Sequence, residues 1–388
     1  MNSNHTLIAK TITGLEDVLA AELLKLGARD IEKLHRAVKF TGDAGTMYKA
    51  NYCLHTALRV LVPVFQFHVT SEQDLYDKIK NMRWEDYIDA DDTIAIDTVL
   101  ATDLFNHSQY ISQKAKDAIA DRFREMSGVR PSVDLKNPVL RINLHINEDI
   151  CSVAFDSSGE SLHKRGYRDQ TNLAPINEVL AAGLVKLTGW EGRRPLIDPM
   201  CGSGTILIEA ALIAARIPPG YYRKEFGFMK WKKFMPFDEV LWKTVCDAAV
   251  SRIDSSDVTI LGGELSHHVA RKARENIKIA KVDDMVQVRE SDIRDFEPPA
   301  GGGVVIINPP YGERMDKDDL TQLYAAIGDS FKKRFAGFDC WLITSNKEAL
   351  KHVGLRPSRK IPVFNGPLEC RFVRYEMYQG TKKTPKTQ

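Results

Sequence analysis

The apolar run Val304–Ile307, opening into Asn308-Pro309-Pro310-Tyr311-Gly312, constrains this chain more than any other stretch. The run reads as a buried strand, and the two prolines end it, because proline fixes φ and donates no N–H. The same residues suit a pocket for a flat ring that bears an exocyclic amine. The Asn308 side chain offers a carbonyl acceptor. The Pro309 backbone carbonyl can stand free as a second acceptor, while Pro310 and Tyr311 line the base, Tyr311 with a face for stacking. Two acceptors on one amino group turn its lone pair toward an electrophile, the geometry for methylating an aromatic amine. Taken alone, these residues also read as a strand with a Pro-Pro turn.

A second element names the other reactant. Leu196-Ile197-Asp198 ends a short apolar strand, and Pro199-Met200-Cys201-Gly202-Ser203-Gly204-Thr205 leads into a helix from Ile206. Gly202 and Gly204 let the backbone pass close to a ligand. Ser203 or Thr205 is expected to cap the helix, whose first N–H groups favour a carboxylate or phosphate. No Gly-Lys-Ser/Thr follows, which excludes a Walker loop, and the six-residue dinucleotide fingerprint is absent. The stretch Asp257–Glu264 reads as a further strand ending in a carboxylate, where a ribose diol is held. Asp292, after the strand-like Val286–Val288, is placed to accept from an adenine amino group. Either carboxylate alone could be a solvated strand end or a cap. All four places fall at carboxyl ends of expected strands, where open α/β sheets bind ligands.

From about Leu162 to Tyr378 the chain resembles the class I S-adenosylmethionine-dependent methyltransferases, and within them the THUMP-domain RNA methyltransferase family. The residues that carry the resemblance are His163–Arg168, Ala174-Pro175-Ile176-Asn177-Glu178, Asp198–Thr205, Asn308–Arg314 and Asn365–Arg371. It implies an α/β fold, a Rossmann-like class I domain with a mainly parallel seven-stranded sheet, preceded by α+β ferredoxin-like and THUMP modules. It implies S-adenosylmethionine as cofactor, held by Asp198, Met200, Gly202, Ser203, Gly204, Thr205, Glu264, Asp292 and Asn308. Asn308, Pro309 and Tyr311 would be the catalytic set. The sequence departs at Glu264, where aspartate is expected; glutamate keeps the charge. The members most similar are bacterial guanine-N2 methyltransferases of large-subunit ribosomal RNA. Transfer RNA guanine-N2 and DNA adenine-N6 methylation are the neighbouring activities, and a non-catalytic RNA-binding assembly factor is the reading from another class.

The expected boundaries are 1–64 for the ferredoxin-like module, 65–160 for THUMP, 161–380 for the catalytic domain and 381–388 for a disordered tail. The formal net charge of +2 over 388 residues is too small to argue for nucleic acid by itself. Local stretches carry the argument instead. In the basic linker 161–170, Arg165, Tyr167 and Arg168 are expected to contact RNA. The connection 216–252 interleaves Lys230, Lys232 and Lys233 with Phe228, Trp231 and Phe234. It suits an RNA-touching surface and a packed cover equally well. Six cysteines without a C-x-x-C pair read as reduced thiols, and neither a signal core nor a membrane-length apolar run is present, so a cytoplasmic protein is expected. Cys201 has no evident His-Asp partners and reads as a small apolar filler. The adjacent His267 and His268 face different directions on a helix and make no metal site.

Overall fold

The computed structural model describes residues 3–168, 176–254, 256–310 and 316–378. Tyr311, Ala174-Pro175 and the tail 381–388 lie outside the described residues. The chain forms two compact units, one of residues 1–11, 19–164 and 223–248, the other of residues 12–18, 165–222 and 249–388.

The first unit is built on one eight-stranded sheet. Its strands are β1 (His5–Lys10), β2 (Arg29–Leu34), β3 (Ala37–Gly42), β4 (Arg59–His68), β5 (Thr93–Ala101), β6 (Ser132–Val133), β7 (Leu140–Asn147) and β8 (Ile150–Asp156), in the order β2-β3-β1-β4-β8-β7-β5-β6. The helices are α1 (Glu16–Lys25), α2 (Ala44–Cys53), α3 (Glu72–Asn81) and α4 (Ser108–Ser127). In β7 buried residues alternate with half-buried ones along Leu140–Ile146, the period-2 pattern of a sheet with one covered face. The hydroxyl of Ser71 accepts from Asp74 N at 3.1 Å and starts α3. The boundary expected at 64/65 falls inside β4, which pairs with β1 over Arg59–Leu61 and with β8 over Leu61–His68. A register shift between Pro63 and Phe65 absorbs the missing N–H of the proline, so the strand continues past it.

The second unit contains α5 (Glu178–Leu187), β9 (Leu196–Asp198), α6 (Thr205–Ala214), then, beyond a strap ending in α7 (Glu239–Val250), β10 (Ile260–Glu264), α8 (His267–Ile279), β11 (Val286–Glu290), β12 (Gly303–Ile307), α9 (Lys317–Arg334), β13 (Phe338–Thr344), β14 (Arg359–Asn365) and β15 (Leu368–Glu376). The sheet order is β11-β10-β9-β12-β13-β15-β14. Its first five strands are parallel, and β14 and β15 close the edge as an antiparallel hairpin. All five residues of β12 are buried, as a strand covered on both faces requires. One face packs on α5, α6 and α8, the other on α9.

The strap, residues 223–248, belongs to the first unit although it interrupts the second. Of its two readings, packing is what the structure shows. Phe226, Phe228 and Trp231 are buried. Tyr48 stacks on Phe228 at 4.5 Å and meets the edge of Trp242 at 5.8 Å. The lysines are occupied as well: Lys230 Nζ donates to Asn137 O at 2.7 Å, Lys232 to Asp92 Oδ1 at 2.7 Å and Lys233 to Glu85 O at 2.9 Å.

Candidate active site

Strand order reverses between β9 and β12, and the crevice at such a switch point is where doubly wound sheets bind ligands. The glycine loop leaves the carboxyl end of β9 and Asn308 leaves that of β12, so the two sequence elements flank this crevice. Glu264 ends the adjacent β10 and Asp292 follows β11.

The loop is held by its backbone. Cys201 N donates to Gly263 O at 2.8 Å, Gly204 N to Cys201 O at 2.9 Å, and Asn276 Nδ2 to Ser203 O at 3.0 Å. Gly202 and Gly204 adopt φ of +55° and +83°, a region that glycine enters without a Cβ penalty. A Cβ on Gly202 would meet nothing within 4 Å, so the loop keeps open space there. The expected Ser203 or Thr205 cap is not formed. Gly204 is the N-cap of α6, without a side-chain hydrogen bond, and the Thr205 hydroxyl is drawn aside as acceptor for Arg168 Nη2. Among the described residues no side-chain oxygen caps the first N–H groups of α6, an arrangement that can receive a ligand carboxylate.

The carboxylates differ in setting. Glu264 accepts from Gly202 N at 3.0 Å through one oxygen and from Ser266 N at 3.0 Å through the other, so it ties β10 to the loop. Burial pushes the Asp198 carboxyl up to about 8, with the charge of Glu264 adding to the effect against the Met200 N–H that it accepts at 3.1 Å. Asp292 is held low by Arg294, whose Nε and Nη2 donate to its two oxygens at 2.9 and 2.6 Å. Arg294 is a neighbour that the sequence reading left out; its spacing of two from Asp292 was the available signal. Burial pushes the Cys201 thiol well up, in line with a filler.

Asn308 supplies the most telling atom. Its Oδ1 is, among the described residues, the one buried side-chain oxygen without a hydrogen-bond partner. A buried acceptor left unpaired is costly, and such a group calls for a donor that arrives from outside. Pro309 is buried beside it and Pro310 is exposed.

The basic linker is a correction. Arg165 and Tyr167 do not form an RNA-facing surface; they are 2% and 1% exposed. Arg165 Nε lies 3.3 Å from Glu209 Oε1, and the Tyr167 hydroxyl donates to the same oxygen at 2.8 Å. Glu209 is a fully buried carboxylate on α6, and a charge in that position needs these partners. Arg168 reaches Glu178 at 3.2 Å as well as Thr205, so it too is turned inward, bracing the start of α5 against the start of α6. Among the described residues no group of three or more His, Cys, Asp or Glu is placed to hold a metal ion. Nor is any helix there long and apolar enough to cross a membrane.

The chain resembles known proteins along nearly its whole length. The model of the RMKL-like methyltransferase domain family matches residues 165–374, more than half of the chain. The chain belongs to this family. A THUMP domain model matches residues 69–156, and a model of the RlmL ferredoxin-like domain matches residues 6–61. The chain is 37% identical over 389 residues to the ribosomal RNA large subunit methyltransferase K/L of Syntrophotalea carbinolica, covering 97% of this chain and 54% of that protein. It therefore spans about half the length of this relative. It is 36% identical to a Synechocystis sp. protein named for RNA methyltransferase activity, over 95% of this chain and 96% of the other. Among solved structures, SMU.472 complexed with SAH superposes with a TM-score of 0.86 at 28% identity, over 98% of this chain and 100% of that one.

Proposed function

We propose that this chain transfers the methyl group of S-adenosylmethionine to the exocyclic N2 amine of a guanine in large-subunit ribosomal RNA. The observation that carries the reading is the unpaired Oδ1 of Asn308 at the switch-point crevice. The loop fits the cofactor: open space at Gly202, α6 without a side-chain cap, and a carboxylate at the end of β10. Glu264 would hold the ribose and Asp292 the adenine amino group, with Asp198, Met200, Ser203, Gly204 and Thr205 forming the cradle. The bound cofactor would supply a methyl group already activated on a sulfonium.

The protein's part is then positional. Asn308 Oδ1 and the Pro309 carbonyl accept the two amine hydrogens and aim the nitrogen lone pair. The amine loses a proton as it is alkylated, so no strong base is needed. The target base must leave the RNA stack to reach Asn308, and Pro310 and Tyr311 would line its face. The ribosomal substrate follows the naming of the Syntrophotalea relative, and the N-terminal 1–64 and 65–160 modules would hold the RNA. An RNA substrate of this kind, with six free cysteines, suits the cytoplasm.

The test is methyl transfer by the purified chain from labelled S-adenosylmethionine to naked large-subunit ribosomal RNA, transfer RNA and duplex DNA, followed by nucleoside mass spectrometry. N2-methylguanosine in ribosomal RNA is expected. Label in adenine of duplex DNA would replace this reading with a DNA methylase.

A further inference from the structure

The hairpin β14–β15 carries a sequence motif, Asn365–Arg371, to which the site gives no role. Strand register places it. Ile307 of β12 lies opposite Leu342 of β13, and Ile343 of β13 lies opposite Phe372 of β15. Asn308, one residue past Ile307, is therefore level with Phe372. β15 begins four residues earlier, at Leu368, so the hairpin overhangs the level of Asn308 by about 13 Å at roughly 3.3 Å per residue.

The sheet face is shared too. Val304 and Ile306 pack in the same core cluster as Trp341, Cys370 and Phe372. Alternation along each strand carries that face on to Asn308 and out to Leu368. Leu368 is 46% exposed, opposite Asn365 across the turn Gly366-Pro367, and Gly366 takes the left-handed φ of +60° that the turn requires. The tip is braced. Glu369 meets Lys347 at 3.5 Å and Arg371 at 3.2 Å, and Phe372 stacks on Trp341 at 4.6 Å.

Single exposed leucines are ordinary on protein surfaces. This one stands on a braced projection over the acceptor end of the sheet, on the face of the amine acceptor. We propose that Leu368 is an apolar wedge that enters the RNA stack at the place vacated by the target base and favours the extruded state. Proteins that unstack nucleic acid commonly insert an apolar side chain of this kind. The inference rests on the proposed RNA base methylation and adds the element that delivers the base.

The experiment compares folded large-subunit ribosomal RNA with a single-stranded oligonucleotide spanning the methylated site, using wild type, Leu368→Ala, Leu368→Asp and Leu368→Met. The Ala and Asp variants should lose about tenfold more kcat/KM on the folded RNA than on the oligonucleotide, whose base pays no unpairing cost. Leu368→Met should restore most of the loss, and cofactor affinity should hold in all three. Equal losses on both substrates, or none on either, would overturn the wedge while leaving the methyltransferase reading intact. Absence of transfer to RNA by wild type would overturn that reading, and the wedge with it.

Discussion

Arg165 and Asn308 are polar groups enclosed in the same unit, and they differ in what meets them. Arg165 is met by Glu209, with the Tyr167 hydroxyl on the same carboxylate, so its charge is balanced inside the protein. Asn308 Oδ1 is met by nothing among the described residues. Basic character in a sequence locates neither a surface nor a ligand, because buried acids elsewhere in the chain can take up the cations. An acceptor that no described donor meets is open to one that arrives from outside.

Breaking the first member of the pair should have the largest effect. Arg165→Met takes the cation away from the buried Glu209 carboxylate, and should lower unfolding stability by about 3–5 kcal/mol in urea denaturation. Arg165→Met combined with Glu209→Leu should recover much of it. A full-strength loss of RNA affinity without loss of stability would return Arg165 to the RNA surface.

Asn308→Ala should leave stability nearly unchanged and cofactor affinity intact, while turnover on RNA falls by about 10²–10³, the scale for losing one preorganised polar contact. Near-wild-type turnover would end the amine-acceptor assignment. A smaller effect is expected at Gly202→Val. A Cβ there meets nothing in the folded chain, but the left-handed φ costs about 1–2 kcal/mol, and the open space proposed for the cofactor is filled. Calorimetry should show cofactor affinity reduced by about tenfold or more.

The smallest effect belongs to the strap. Lys232 is well exposed at its end yet paired with the buried Asp92, so Lys232→Met should leave the salt dependence of RNA binding unchanged. A slope reduced by about one unit would instead mark a phosphate contact.

Much of the candidate site was legible because the information is local. An apolar run followed by Asp198 or Asn308 states both the strand and what stands at its end, and the parallel sheet brings those ends together. The helix cap was misread for a reason outside that window: Thr205 bonds Arg168, thirty-seven residues away in sequence. The linker failed in the same way, since Glu209 lies on α6, the second helix after Arg165, and nothing near Arg165 announces it. β2 left no signal at all. Its residues Arg29–Leu34 include none that are buried, so hydrophobic alternation was absent. The join expected at 64/65 lies between the ferredoxin-like match, which ends at 61, and the THUMP match, which begins at 69, yet the backbone does not break there, because a bulge lets β4 run through Pro63.

The strap also has a consequence for how the protein emerges from the ribosome. Tyr48 finds its stacking partner in Phe228 and its edge partner in Trp242, both of which are translated after β9 and α6 of the other unit. Vectorial synthesis ordinarily lets an N-terminal domain fold before the next begins. Here the amino-terminal unit waits, its aromatic centre incomplete, until residues near 248 have appeared. A shortened chain that starts at Ser161 would carry the mirror-image defect, with Phe228 and Trp242 deprived of Tyr48 and Trp231 deprived of Phe155.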